Sequence, residues 1–257
     1  MRTFIAFAFC LLISAGVVAQ ERTAEGGARK IDSFGEILDT DWLARLDNFA
    51  IELQNSPGSK GYVAAFYARH KLPGLALRLA NRAVNYLIMS RDVAPERLSV
   101  INSGFADETR FELWAAEGGA QPPVKAFDPA LMMAGEKNPL LFDRLVFYEP
   151  SDYGLDYGNY SSLKGTYEPF ATVLDADRGL RACIIGYMKK GNRRGTDRRL
   201  AERAKRQLAT AHAVDVSRVV AIGGGRRGEK MVEMWLVPPG SDLPRPTPAA
   251  GRRRTRR

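Results

Sequence analysis

Histidine and cysteine are nearly absent from this chain, with 2 of each among 257 residues. His70 and His212 lack an acid, base or metal-ligating partner at recognisable spacing, so the sequence predicts neither a histidine-based catalytic group nor a zinc site. Cys10 lies in an apolar run at the N-terminus, which leaves Cys183 alone in the rest of the chain. No disulfide can then staple the fold, and its stability must come from packing. Cys183 sits in CIIGYM, and this apolar setting predicts a buried structural thiol rather than a nucleophile. A phosphate loop is missing as well. GGGRRG at Gly223 to Gly228 follows one predicted strand and leads into another, so the helix N-terminus that cradles a phosphate is not there and a glycine-rich hairpin is expected. The scattered carboxylates Asp143, Glu149, Asp152 and Asp156 read as loop residues. No catalytic residue, metal or cofactor is expected.

The N-terminus is organised as an export signal. Met1 to Ala19 has one early cation, Arg2, an apolar run from Phe4 to Ile13, and small residues Val17 and Ala19 at a cleavage position. An uncleaved anchor would need about 20 apolar residues, and this run is at the short edge of that range. The protein is therefore expected in the periplasm or cell envelope. The formal charge of +9 is local rather than spread over the fold. Arg252, Arg253, Arg254, Arg256 and Arg257 carry much of it on a Pro-rich tail, and most of the remainder lies between Lys189 and Arg206. Arginine clusters neutralise phosphates well, but export removes the chain from nucleic acid, so the partners expected are a membrane surface, an anionic polymer or an acidic protein.

An internal repeat dominates the rest. RLANRAVNYLIMSRDVAPERLSVINSG, starting at Arg78, recurs from Arg199 as RLAERAKRQLATAHAVDVSRVVAIGGG, 121 positions later and without a gap. The same offset aligns Phe49 with Phe170, Gly74 with Gly195, Arg97 with Arg218, Glu112 with Glu233 and Trp114 with Trp235. A period this long exceeds solenoid repeats and indicates two copies of one small domain.

Hydrophobic patterning supplies the elements of each copy. IDSFGEI reads as a short strand, WLARLDNFAIELQN as a helix capped by Asp39 or Asp41, and GYVAAFYA as a central strand covered on both faces. A second helix with Leu79, Ala83, Tyr86 and Leu87 on one face follows, then the strand RLSVI. In TRFELWA, Phe111 and Leu113 alternate with Arg110, Glu112 and Trp114. The second copy begins near Asp143 with LVFYEPS, has an inserted loop at 152–162 and a helix from about Leu163 to Leu174, and continues with CIIGYM, TDRRLAERAKRQLATA capped by Thr196 or Asp197, VVAI and KMVEMWLV. The fold class expected is α/β, as two tandem α+β two-layer sandwiches in the order β-α-β-α-β-β. The predicted boundaries are signal 1–19, a disordered leader 20–29, copy one 30–117, linker 118–142, copy two 143–240 and a Pro/Arg-rich tail 241–257.

The helix LANRAVNYL, the segment ERLSVINSG and the strand TRFEL, with LAERAKRQL, SRVVAIGGG and KMVEM in the second copy, resemble the OmpA-like C-terminal domain of bacterial envelope proteins. The resemblance implies a sheet backed by two helices. It also implies a site for the diaminopimelate of peptidoglycan, formed by an aspartate ending the central strand and the arginine of the helix RA pair. That arginine is present as Arg82 and Arg203, but the aspartate is missing: the matching stretches are AFYA at Ala65 to Ala68 and GYMK at Gly186 to Lys189. Lys189 would repel an ammonium there. Three roles for the arginines remain open: structural or solvated beside Arg78 and Arg199, part of a site that takes an anion without an ammonium, or retained peptidoglycan binding. The candidate ligand-binding residues are Arg82, Arg203, Lys189 and Arg199. The expected function is an exported, non-enzymatic binding or structural protein of the envelope that associates with peptidoglycan or another anionic polymer; the alternative is a protein-protein adaptor with a defunct pocket.

Overall fold

The computed structural model describes residues 27–37, 39–147 and 165–247. The expected export signal, most of the leader, the loop carboxylates Glu149, Asp152 and Asp156, and the five tail arginines lie outside the described residues. The chain folds as two α/β units. The first runs β1 (Ala28–Phe34), α1 (Asp39–Asn55), β2 (Lys60–Ala68), α2 (Pro73–Arg91), β3 (Leu98–Ala106) and β4 (Arg110–Ala116). The second runs β5 (Leu140–Phe147), α3 (Glu168–Ala176), β6 (Arg181–Met188), α4 (Thr196–His212), β7 (Val219–Arg226) and β8 (Lys230–Val237).

Both sheets have the same strand order, β1-β4-β2-β3 and β5-β8-β6-β7. In each, the central strand pairs in parallel with the third strand and antiparallel with the last. The register also locates the insertion. Asp32 pairs with Leu113 and Asp143 with Met234, so the last strands are offset by 121 and the first strands by only 111. The extra residues of the second unit therefore fall between β5 and α3, where the loop was expected.

Local chemistry repeats with the topology. Helices α2 and α4 both end on a left-handed residue, Asp92 at φ 55° and Ala213 at φ 54°, and the next amide returns to Leu87 or Leu208 as in a Schellman cap. Arg97 donates to the carbonyls of Leu53 (2.6 Å), Ser56 (2.9 Å) and Ser59 (2.9 Å). Arg218 donates to the matching carbonyls of Leu174 (2.7 Å), Asp177 (2.8 Å) and Leu180 (2.8 Å). Each guanidinium thus satisfies the orphan carbonyls where the first helix ends and turns into the central strand.

Some boundaries differ from expectation for identifiable reasons. Pro169 does not interrupt a helix; it stands in the first turn of α3, where its missing N–H is no loss. Neither Thr196 nor Asp197 caps α4. Gly195 precedes that helix at φ 78°, while Asp197 turns inward to accept the Gly225 N–H at 3.0 Å. Asp143 is not a loop carboxylate but a buried residue of β5.

Strand alternation assigns the two faces of each sheet. Phe111, Leu113 and Ala115 of β4 and Val63, Ala65 and Tyr67 of β2 face the helices, with Val232, Met234 and Leu236 of β8 in the same role. The other face is not bare. Ala120 and Val124, from the expected linker, pack on Tyr62, Ala64 and Trp114, while Phe127 donates its N–H to Asn102 O at 2.7 Å. Leu243, from the start of the expected tail, packs on Cys183, Ile185 and Tyr187, and the Thr247 N–H donates to Tyr187 Oη at 3.1 Å. Each unit is a sheet with helices on one side and a proline-containing strap on the other.

The helical faces of the two units merge into one core containing Leu77, Ala80, Phe142, Tyr167 and Phe170. Helix α2 approaches β5 so closely that a Cβ on Gly74 would lie 2.6 Å from Asp143 and from Phe142. One turn on, Arg78 forks onto Asp143 with contacts of 2.8 and 3.1 Å, and Asn81 donates to Gly165 O at 3.3 Å.

Candidate functional site

The structure does not gather the four predicted ligand-binding residues into one pocket. Arg82 belongs to the first unit. Its guanidinium lies 4.9 Å from the Trp42 ring centroid and 3.5 Å from the Asp39 carboxylate, both on α1. Lys189, at the end of β6, pairs with Glu229 at 3.7 Å, and its backbone N–H is fixed by the Asn192 side chain at 2.8 Å. Arg199 donates to Thr196 Oγ1 at 3.0 Å and is otherwise directed to solvent. Arg203 is exposed on α4 beside Tyr167; burial pushes that phenol up to about 12, against the Arg203 charge, which pulls it down.

What the structure does bring together is the cationic stretch around α4. Ala201, Ala204 and Leu208 bury one face of this helix. At 100° per residue, Arg199, Arg203 and Arg206 fall on the opposite face, spaced i, i+4, i+7 and spanning about 10 Å along the axis. All three are exposed, as are Arg198 and, in the preceding turn, Lys190, Arg193 and Arg194. The opposing carboxylates are few: Asp197 is occupied by Gly225, and Glu202 sits 3.7 Å from Arg198. The glycines of GGGRRG serve packing: a Cβ on Gly224 would lie 2.5 Å from the Tyr187 ring, and one on Gly223 would lie 2.9 Å from Asp197. The segment lies in β7 and the turn into β8.

His70 is exposed in the turn after β2 and His212 ends α4. Among the described residues no group of histidine, cysteine and carboxylate side chains is arranged to hold a metal, and no helix is long and apolar enough to cross a membrane.

A second arrangement was not foreseen from the sequence, although its residues were paired by the repeat. Glu112 and Glu233 are buried on the strap side of their sheets. Each accepts the indole N–H of the tryptophan two residues on, Trp114 at 3.0 Å and Trp235 at 3.3 Å. Lys30 reaches Glu112 at 3.2 Å; Arg227 and Arg144 reach Glu233 at 2.8 and 3.2 Å. The signal was a carboxylate at a strand position whose neighbours pack inward, present in both copies. No known protein-family model matches this chain, and no curated protein sequence matches it.

Proposed function

We propose that the protein is an exported, non-enzymatic binding module of the cell envelope, built from two degenerate OmpA-like units and associating with an anionic envelope polymer through the arginine face of α4. The observation that carries this reading is the exposure of Arg198, Arg199, Arg203 and Arg206 on one helix, where Glu202 pairs with Arg198 at 3.7 Å. A row of guanidinium groups, always charged and able to take oxyanions in a fork, suits a repeating carboxylate or phosphate polymer better than a single small ligand. Peptidoglycan and anionic glycans both have that repeating chemistry. The diaminopimelate pocket is not part of the reading, because the family aspartate is missing and Arg82 already pairs with Asp39 within its own unit. The same pairing favours a second reading, a protein-protein adaptor whose pocket is defunct.

Sedimentation with purified peptidoglycan sacculi at low and high salt separates the two. Binding is expected to fall with salt, to weaken on the order of a hundredfold in an R199Q/R203Q/R206Q variant, and to persist when residues 251–257 are removed. Absence of binding, or binding that follows the tail and ignores the helix, leaves the adaptor reading.

A further inference from the structure

The strap side of each sheet carries an open cleft, of about 420 Å³ in the first unit and about 450 Å³ in the second. Both volumes fall in the range of roughly 300–1,000 Å³ in which small ligands bind. We propose that these clefts are a duplicated binding site for a small polyhydroxylated acid, namely a carboxylated or phosphorylated sugar. The inference does not depend on the polymer reading, since the clefts lie across the sheets from the helices.

Charge sets the sign of the ligand. In the first cleft the cations Lys30, Arg110 and Lys125 face one carboxylate, Glu112; in the second, Arg144, Arg227 and Arg245 face Glu233 and Asp242. Each cleft keeps a positive excess. The deep carboxylate is already committed to its tryptophan and to cations, so it fixes the cation heads in place and leaves Lys125 and Arg245, both exposed on the straps, to meet an incoming oxyanion.

The arrangement recurs although the residues supplying it have changed. In the first unit Arg110, from β4, lies 3.8 Å from the Phe66 ring centroid; in the second Arg227, from the turn before β8, lies 3.8 Å from that of Tyr187. Phe66 and Tyr187 are repeat equivalents, but Arg110 and Arg227 are not, so a stacked guanidinium is provided from two different sequence positions. Polar groups beyond the charges address hydroxyls. Ser103 lines the first cleft, its Oγ buried just beneath the surface without a hydrogen-bond partner, and Thr247, whose hydroxyl accepts from Arg227 and still has a proton to donate, lines the second. A buried hydroxyl without a partner is costly, and a bound polyol would satisfy it.

The test is a titration of the purified protein with galacturonate, with glucose 6-phosphate and with glucose, read by tryptophan fluorescence and by calorimetry. Trp114 and Trp235 line the clefts, so saturable quenching is expected with an acid and none with glucose. A preference for galacturonate assigns a carboxylated sugar, and a preference for glucose 6-phosphate a phosphorylated one. K125Q is expected to weaken the first site and R245Q the second, each by at least tenfold, with the melting temperature unchanged because both residues are exposed. The proposal is overturned if neither acid binds at millimolar concentration, if glucose binds as well as the acids, or if the K125Q/R245Q variant binds like the parent.

Discussion

Replacing Arg78 by methionine tests whether the two units are one cooperative structure. Asp143 is 1% exposed, and its partners are the Arg78 fork at 2.8 and 3.1 Å and the Arg144 backbone N–H at 2.7 Å. Without the fork, a charge remains inside the junction with a single donor, and breaking a buried pair from one side costs about 3–5 kcal/mol. The Arg78 side chain is 26% exposed, so water can enter behind it and the lower end, about 3 kcal/mol, is the figure to expect. Replacing both partners, Arg78→Met with Asp143→Val, removes the charge along with its partner, and the double variant is expected to recover at least about 2 kcal/mol of the loss. Urea unfolding followed by far-UV circular dichroism and by tryptophan fluorescence measures both quantities, since Trp42 and Trp114 report on the first unit and Trp235 on the second. The reasoning fails if Arg78→Met costs less than about 1 kcal/mol, or if the double variant loses as much as the two single variants combined.

Three further outcomes follow from the same physical accounting. Arg97→Ala and Arg218→Ala each strip three carbonyls of a charged donor at the end of a first helix, so each should cost about 3 kcal/mol or more in chemical denaturation, and lysine should rescue only part because it cannot fork. Cys183 is fully buried and its thiol is pushed up to about 12 by burial; it should resist thiol reagents at pH 8 in the native protein and react at once in denaturant, and rapid native labelling would contradict its placement. The Arg91 guanidinium, followed by the Tyr86 hydroxyl, holds the Asp47 carboxyl below the usual carboxylate range against the opposing effect of burial. A lowered folded-state pKa contributes stability that is present above the unfolded carboxylate value of about 4 and is lost as pH falls through the folded value; because the pair is more than a third exposed the contribution is small, and Asp47→Asn should lower the melting temperature slightly at pH 7, by an amount that shrinks as the pH is lowered through the acid range.

The fold was legible because the repeat and the alternation of apolar residues are local in sequence. Phe111 and Leu113 against Arg110, Glu112 and Trp114 gives the two faces of β4 without any structure, and the gapless offset of 121 transfers that assignment to β8. What sits on the second face was not legible. Val124 and Leu243 lie in proline-rich stretches without a period, so nothing in their spacing shows that they cover Trp114 and Cys183. The candidate site was legible only in part for the same reason. The repeat marked Arg82 and Arg203 as equivalent, but the Asp39 carboxylate and Trp42 ring that engage Arg82 come from a different helix. Equivalent sequence positions need not have equivalent neighbours.

Helix α2 and helix α4 show this divergence most plainly. Gly74, Leu77, Arg78 and Asn81 form the face by which α2 docks on β5 and the segment leading into α3, with Leu77 only 4% exposed. The equivalents on α4 are Gly195, Arg198, Arg199 and Glu202, and no third unit is packed against them among the described residues. A head-to-tail contact between unlike surfaces can propagate indefinitely if the exposed end keeps the docking face. Arginine in place of Leu77 puts a charge where the first unit has an apolar contact, and glutamate in place of Asn81 adds another, so the exposed end is poorly matched to a further copy of β5. Charge at these positions therefore does two things through one property: it disfavours the docking that joins α2 to β5, and it leaves an arginine face exposed on α4.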